Sequence, residues 1–286
     1  MAAMSRAFLK MHGLGNDFVV IDARKQAYAP PAEEVRAISD RRTGVGCDQF
    51  IVIEPTKRPD AAAFMRIFNA DGGEVGACGN ASRCVGRLLM EETGQSEAAF
   101  ETAAGLLRAY RADDGADDGL VTVDMGPALL DWRDVPLAEP ADTLRLNNVA
   151  MAGISGPTAV GMGNPHAVFF VDDAEAVPLH EVGPVFEHHP MFPERTNVEF
   201  VHLTGPDALR MRVWERGVGV TQACGTGACA AAVAAMRRGL TGRTADVVLD
   251  GGTLRIHWRE SDGHVLMTGA ATIAYSGVLS EELSPS

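Results

Sequence analysis

The stretch WERGVGVTQACGTGACAAAVAA, Trp214 to Ala235, sets a cysteine between Ala and Gly and then runs straight into an alanine-rich helical pattern. A partial echo lies upstream in FNADGGEVGACGNASRCVGRLLMEETG, Phe68 to Gly94, where Cys78 occupies the same Ala-Cys-Gly step as Cys224. A cysteine at a helix N-terminus sits at the positive end of the macrodipole, beside N–H groups that have no intrahelical partner. The expectation is a favoured thiolate and a lowered thiol pKa. Gly79 and Gly225 admit a close backbone or ligand approach. The small residues that follow, Asn80, Ala81 and Ser82 or Thr226, Gly227 and Ala228, leave the same N–H groups open to an anion such as a carboxylate.

One such site reads as a nucleophile, a redox thiol or, most simply, a small core residue. Two of them suggest a different reaction. One thiolate removes a proton from a carbon next to a carboxylate, and the opposite thiol returns a proton to the other face, which is racemisation or epimerisation. The helix N-termini would stabilise the developing enediolate charge. Cys84 and Cys229 fall one to two turns inside the helices and read as packing residues, while Cys47 stays open. The C-x5-C and C-x4-C spacings are not those of a zinc finger or ribbon, so no metal is expected. The Gly-rich runs lack the Lys-Ser/Thr of a phosphate loop.

Around the two motifs the chain is strand-rich. FVVIDA, QFIVIEP, AFMRIFN, LLRAYRA, LVTVDM, AVFFVDD, NVEFVHL, LRMRVWE, DVVLDG, TLRIHW and HVLMTG are short apolar or alternating runs, many separated by Gly, Pro or Asp. RADDGADDG, Arg111 to Gly119, reads as a hairpin loop with solvated aspartates. Helices are expected from about Asn80 to Thr93, ending at Gly94, and from about Thr226 to Arg238, ending at Gly239, with a weaker one over Ala32 to Arg41. The organisation expected is many strands around one central helix, done twice. Met125-Gly126-Pro127 is the expected crossover, and the sequence repeat extends little beyond the two cysteine motifs.

The chain has 286 residues, a net charge of −13 and 46% apolar residues, the profile of a soluble globular protein. Without a Lys/Arg cluster, neither nucleic acid nor an anionic membrane is an expected partner. The segment MAAMSRAFLKMHG has no apolar run with a small-residue cleavage site, and no later run reaches about 18 apolar residues. Five thinly spread cysteines are not a secreted disulfide framework. A cytoplasmic protein with reduced thiols is expected.

Six blocks together resemble the diaminopimelate epimerase family: MHGLGNDFVVID (Met11–Asp22), GVGCDQ (Gly44–Gln49), FNADGGEVGACGNASRC, GNPHAVFF (Gly163–Phe170), RTNVEFV (Arg195–Val201) and WERGVGVTQACGTGACA. The resemblance implies a PLP-independent, cofactor-free isomerase of fold class α/β (α+β), in two pseudo-symmetric halves, each a barrel-like sheet wrapped on a central helix: residues 1–126 with 276–286, carrying Cys78, and residues 127–275, carrying Cys224. The last strand would return to the first half. It implies interconversion of LL- and meso-diaminopimelate, in the making of lysine and peptidoglycan precursors, by a homodimer. It also makes Cys78 and Cys224 the acid/base pair and places Asn16, Gln49, Gly79, Asn80, Gly225 and Thr226 around the reacting end. Asn69, Asn164, Asn197, Glu215 and Arg216 would hold the distal end, with His166 and Glu215 tuning the thiols. Ala81-Ser82 and Thr226 depart from the pattern of many relatives without removing a donor N–H. Taken singly, Asn16, Asn69 and Asn164 also read as turn residues, His166 as a core histidine and Glu215-Arg216 as a surface pair. A proline racemase or hydroxyproline epimerase is the nearer alternative, and a non-enzymatic thiol redox or zinc-binding protein the more distant.

Overall fold

The computed structural model describes residues 6–76, 78–112 and 119–283. It divides into two compact units, Met1–Val123 with Gly269–Ser286, and Asp124–Thr268. Both boundaries come a few residues earlier along the chain than expected. Met125-Gly126-Pro127 is not a separate crossover: it belongs to a strand, Leu120–Pro127, within which the chain leaves the first unit. Of the RADDGADDG loop, residues 113–118 lie outside the described residues.

The first unit opens with β1 (Arg6–Gly13) and β2 (Asn16–Asp22), α1 (Ala32–Ser39), β3 (Gln49–Glu54), β4 (Phe64–Asn69) and β5 (Glu74–Val75). It continues with α2 (Gly79–Thr93), β6 (Glu97–Thr102), β7 (Gly105–Arg111) and the start of β8 (Leu120–Pro127). The β1–β2 and β3–β4 pairs are antiparallel, whereas β2–β3 and β4–β6 are parallel. The middle of β2 and of β3 is buried on both faces, which is why FVVI and FIVI read as continuous apolar runs. Helix α2 packs on β1, β6 and β7, and at Gly86 an added Cβ would come within 2.4 Å of the Ala109 methyl. Gly94 ends the helix in the left-handed region, φ 69°.

The second unit takes up β8 and continues through the short β9 (Ala150–Met151) and β10 (Ile154–Ser155), then β11 (Thr158–Gly161), β12 (Pro165–Phe170) and α3 (Leu179–Glu187). There follow β13 (Asn197–Gly205), β14 (Ala208–Glu215), β15 (Gly219–Val220), α4 (Gly225–Arg237), β16 (Thr244–Leu249), β17 (Gly252–Trp258) and β18 (His264–Ala270). The pairing repeats: β11–β12 and β13–β14 antiparallel, β12–β13 and β14–β16 parallel. Helix α4 is buried almost all round by β11–β14, β16 and β17, and its alanines let those strands approach closely. The last strand, β19 (Thr272–Leu279), belongs to the first unit and pairs antiparallel with β1.

Each strand-like run of the sequence coincides with a strand over most of its length, and AVFFVDD leaves β12 after Phe170. Helices α2 and α4 begin one residue before the expected starts, whereas α1 begins at Ala32 as expected and stops at Ser39. The sequence reading has no counterpart for α3, whose Gly183 and Pro184 argue against a helix. Gly183 is there because a Cβ would lie 2.6 Å from the Trp214 ring.

Candidate active site

In both units the same ends of the strands meet the N-terminus of the long helix. The β1–β2 hairpin turns on two residues, Leu14 (φ 57°) and Gly15 (φ 81°), and puts Asn16 at the first position of β2. In the second unit the loop from Gly161 to Pro165, with Gly163 at φ 85°, puts Asn164 just before β12. Gln49 opens β3, Asn197 opens β13, and Asn69 and Glu215 end β4 and β14.

Cys78 is the N-cap of α2, half-buried, in extended conformation. Its Sγ lies 3.8 Å from Asn16 Oδ1, which also accepts from Asn80 Nδ2 at 3.3 Å, and Asn16 Nδ2 donates to Asp48 at 3.1 Å. Beneath it, the fully buried Arg83 donates to Asn80 Oδ1 at 2.8 Å and to the Ala270 carbonyl at 3.2 Å. Gln49 Nε2 donates to Asn69 Oδ1 at 3.1 Å across the β3–β4 register.

Cys224 is the N-cap of α4, only 5% exposed, and its Sγ accepts from the Gly227 N–H at 3.4 Å and lies 3.6 Å from Thr226 Oγ1. The Glu215 carboxylate accepts from Thr221 Oγ1 and faces Cys224. Asn164 Nδ2 donates to Thr226 Oγ1 at 3.4 Å and its Oδ1 faces His166 Nε2 at 3.0 Å; on the other side of the ring, Nδ1 lies 2.6 Å from Glu199 Oε1. Asn197 donates to the Pro165 carbonyl and accepts from the Arg216 backbone N–H at 2.9 Å, while the Arg216 guanidinium reaches the Glu194 carbonyl at 3.1 Å.

The expectation that the helix terminus lowers the thiol pKa is overturned at Cys224. Burial pushes this thiol well above the ordinary value, and Glu215 and Glu199 push it further; the Thr226 and Gly227 contacts oppose this only in part. Burial likewise raises both carboxyls, Glu215 and Glu199. A buried sulfur among acids is held as a thiol, not as a thiolate. Cys84 is fully buried and its thiol is pushed up to about 12 by burial, as suits a packing residue. Cys229 is fully buried, and Cys47, open in the sequence, lies in the core with its thiol toward Ser39 Oγ at 3.3 Å. Among the described residues no three His, Cys, Asp or Glu side chains converge as metal ligands.

The structure thus groups Asn16, Gly79 and Asn80 with Cys78, pairs Gln49 with Asn69 at the same end of the first unit, and groups Asn164, His166, Glu215, Gly225 and Thr226 with Cys224. Asn197 and Arg216 join the second group through the backbone. Two residues escaped the sequence reading: Arg83 and Glu199. Glu199 stands as a lone acid in the apolar run NVEFVHL, and only the structure shows that Val198 to Val201 are all buried.

The fold is shared with a solved hydroxyproline epimerase from Agrobacterium vitis, with bound trans-4-OH-L-proline, which matches at a TM-score of 0.66 and 19% identity, over 96% of this chain and 92% of that one. The family model for diaminopimelate epimerase matches residues 8–130 and 158–274, so the chain belongs to the diaminopimelate epimerase family. It is 58% identical over 283 residues to the diaminopimelate epimerase of Rhodospirillum centenum, spanning 99% of this chain and 95% of that protein. It is 56% identical over 281 residues to that of Phenylobacterium zucineum, spanning 97% and 99%.

Proposed function

We propose that the chain interconverts LL- and meso-diaminopimelate as an isomerase of lysine and peptidoglycan precursor synthesis, without cofactor or metal, with Cys78 and Cys224 as the two acid/base groups. The observation that carries this reading is the duplication: each unit has one long buried helix, and each such helix is capped by a cysteine with amides around it. One thiolate takes the α-proton while the other thiol delivers a proton to the opposite face. The free N–H groups after each cysteine, at Gly79 and Asn80 and at Gly225 and Thr226, receive the carboxylate on which charge develops. Asn69, Asn164, Asn197 and Glu215 hold the distal ammonium and carboxylate, with Arg216 as the fixed cation. Family membership further supports a homodimer working in the cytoplasm.

The test is α-proton exchange in deuterated water, with and without EDTA. Exchange and inversion of LL-diaminopimelate, unaffected by EDTA, and inertness toward L-proline are expected. Turnover of L-proline in place of diaminopimelate would transfer the chain to the imino-acid alternative.

A further inference from the structure

The topological repeat lets each residue beneath one cysteine be matched with its counterpart beneath the other. In the parallel pair β2–β3, Phe18 stands opposite Gln49; in β12–β13, His166 stands opposite Asn197. Gln49 and Asn197 open their strands, so His166 occupies the place of Phe18, and Glu199, two residues on, occupies the place of Ile51. Phe18 and Ile51 are buried apolar residues, whereas His166 and Glu199 are both fully buried and ionisable. The helices differ to match: Ala81, third after Cys78, is replaced by Gly227, third after Cys224. A Cβ on Gly227 would lie 2.8 Å from Glu199 Oε1 and 3.2 Å from Cys224 Sγ. Carboxyl and sulfur therefore flank one point, within the ~4–6 Å over which a charge alters its neighbour's ionisation.

The two thiols also stand at the ends of opposite chains of contacts. From Cys78 the chain runs through Asn16 and Asn80 to the buried cation Arg83. From Cys224 it runs through Thr226, Asn164 and His166 to the buried acid Glu199. Asn164 turns its Nδ2 to Thr226, so its Oδ1 accepts from His166 Nε2–H, and the 2.6 Å contact on the other side of the ring carries a proton between Nδ1 and Glu199. Glu199 Oε2 is buried with no hydrogen-bond partner among the described residues, so the carboxyl is committed to the ring. The titratable groups facing Cys224 are Glu215 from β14 and Glu199 from β13, with His166 from β12 behind them.

We propose that Glu199 is a positioning residue that, paired with His166 and lying against Gly227, keeps Cys224 in its protonated, proton-donating form in the resting chain. The assignment rests on the reading of Cys224 as an acid/base group, and it gives the two otherwise similar cysteines different resting states.

The experiment is pH-dependent alkylation by iodoacetamide of the full chain, read cysteine by cysteine by peptide mapping. It compares wild type, Glu199→Gln, and the double variant Glu199→Ile with His166→Phe, which installs the apolar pair of the first unit. The Cys224 midpoint in wild type is expected above that of an ordinary thiol. In both variants it moves down, so that labelling near neutral pH rises about tenfold or more, each pH unit being one decade. Cys78 keeps its profile. The descending limb of the kcat/KM pH profile moves down with Cys224 in Glu199→Gln and returns in Glu199→Asp, which a merely structural role would not produce. The double variant carries the comparison where Glu199→Gln does not fold. An unmoved Cys224 midpoint in a folded variant, or both cysteines shifting together, overturns the proposal. If Cys224 shifts as expected but wild type leaves LL-diaminopimelate untouched, the substrate reading fails and the thiol assignment stands.

Discussion

At the scale of single residues the assignment rests on two sulfurs and one guanidinium. Cys78→Ala and Cys224→Ala are each expected to abolish epimerisation with the fold retained, since neither opens a large cavity; Cys84→Ala and Cys229→Ala, buried away from the helix caps, are expected to be far milder. Steady-state rates with circular dichroism check this, and a single cap mutant turning over near the wild-type rate would falsify the two-thiol scheme. Arg216→Met keeps much of the side-chain length and removes the charge. With Arg216 as the proposed distal cation, the change would leave that carboxylate unpaired, a loss on the order of 2 to 5 kcal/mol. The expected fall in kcat/KM for LL-diaminopimelate is roughly two to three decades, each about 1.4 kcal/mol. An unimpaired Arg216→Met chain would remove the distal anchor. The cysteines and the Asn-rich blocks were legible in the sequence because each carries its chemistry locally. Glu199 was not, because a glutamate in a strand matters only once both its faces are known to be buried.

At the scale of elements, the helix caps and hairpins set the tolerances. The methyl added by Gly227→Ala would press on both the Glu199 carboxyl and the Cys224 sulfur at the first turn of α4. Overpacking there is expected to cost about 1 to 3 kcal/mol, seen as a lower Tm, and kcat/KM is expected to fall by at least about tenfold. Wild-type kinetics in that variant would show that the turn yields without moving the sulfur. In the first unit Asp17, next to Asn16, ties the β1–β2 hairpin to the segment before β3: it accepts from Lys10 at 2.5 Å, from Arg41 at 2.7 Å and from the Asp48 N–H at 3.0 Å. Burial alone would raise its carboxyl, but the Arg41 and Lys10 hydrogen bonds outweigh it and hold the group below the usual carboxylate range. With the folded value below the unfolded one, the stabilisation is complete above roughly pH 5 and is lost as pH falls through the folded value. Melting curves should therefore show wild type losing stability in acid, and Asp17→Asn, less stable at neutral pH, losing less over the same range. Parallel slopes for the two chains would show that Asp17 has no part in acid stability.

At the scale of the whole molecule the chain closes its first unit with its last strand. The partner that β19 offers β1 runs from Arg6–Leu279 to His12–Thr272, so removing residues 272–286 strips one edge of β1 along nearly its whole length. The truncated chain is expected to lose its cooperative melting transition and its activity; an unaltered calorimetric trace would show β19 to be dispensable. What the sequence determined by itself is what depends on neighbours along the chain. The two capped helices follow from small residues, apolar spacing and a terminal glycine, and the central strands from runs such as FVVI and FIVI. The cysteine chemistry follows from the Ala-Cys-Gly step. Tertiary structure alone decided which strands pair in each unit and in what register, because strand pairing joins residues far apart in sequence. It made a helix of Leu179–Glu187 against local propensity, since Trp214 packs at Gly183. It also reversed the expected ionisation of Cys224. A helix terminus acts within one turn and favours the thiolate, but burial beside Glu215 and Glu199 comes from other strands and is the larger effect.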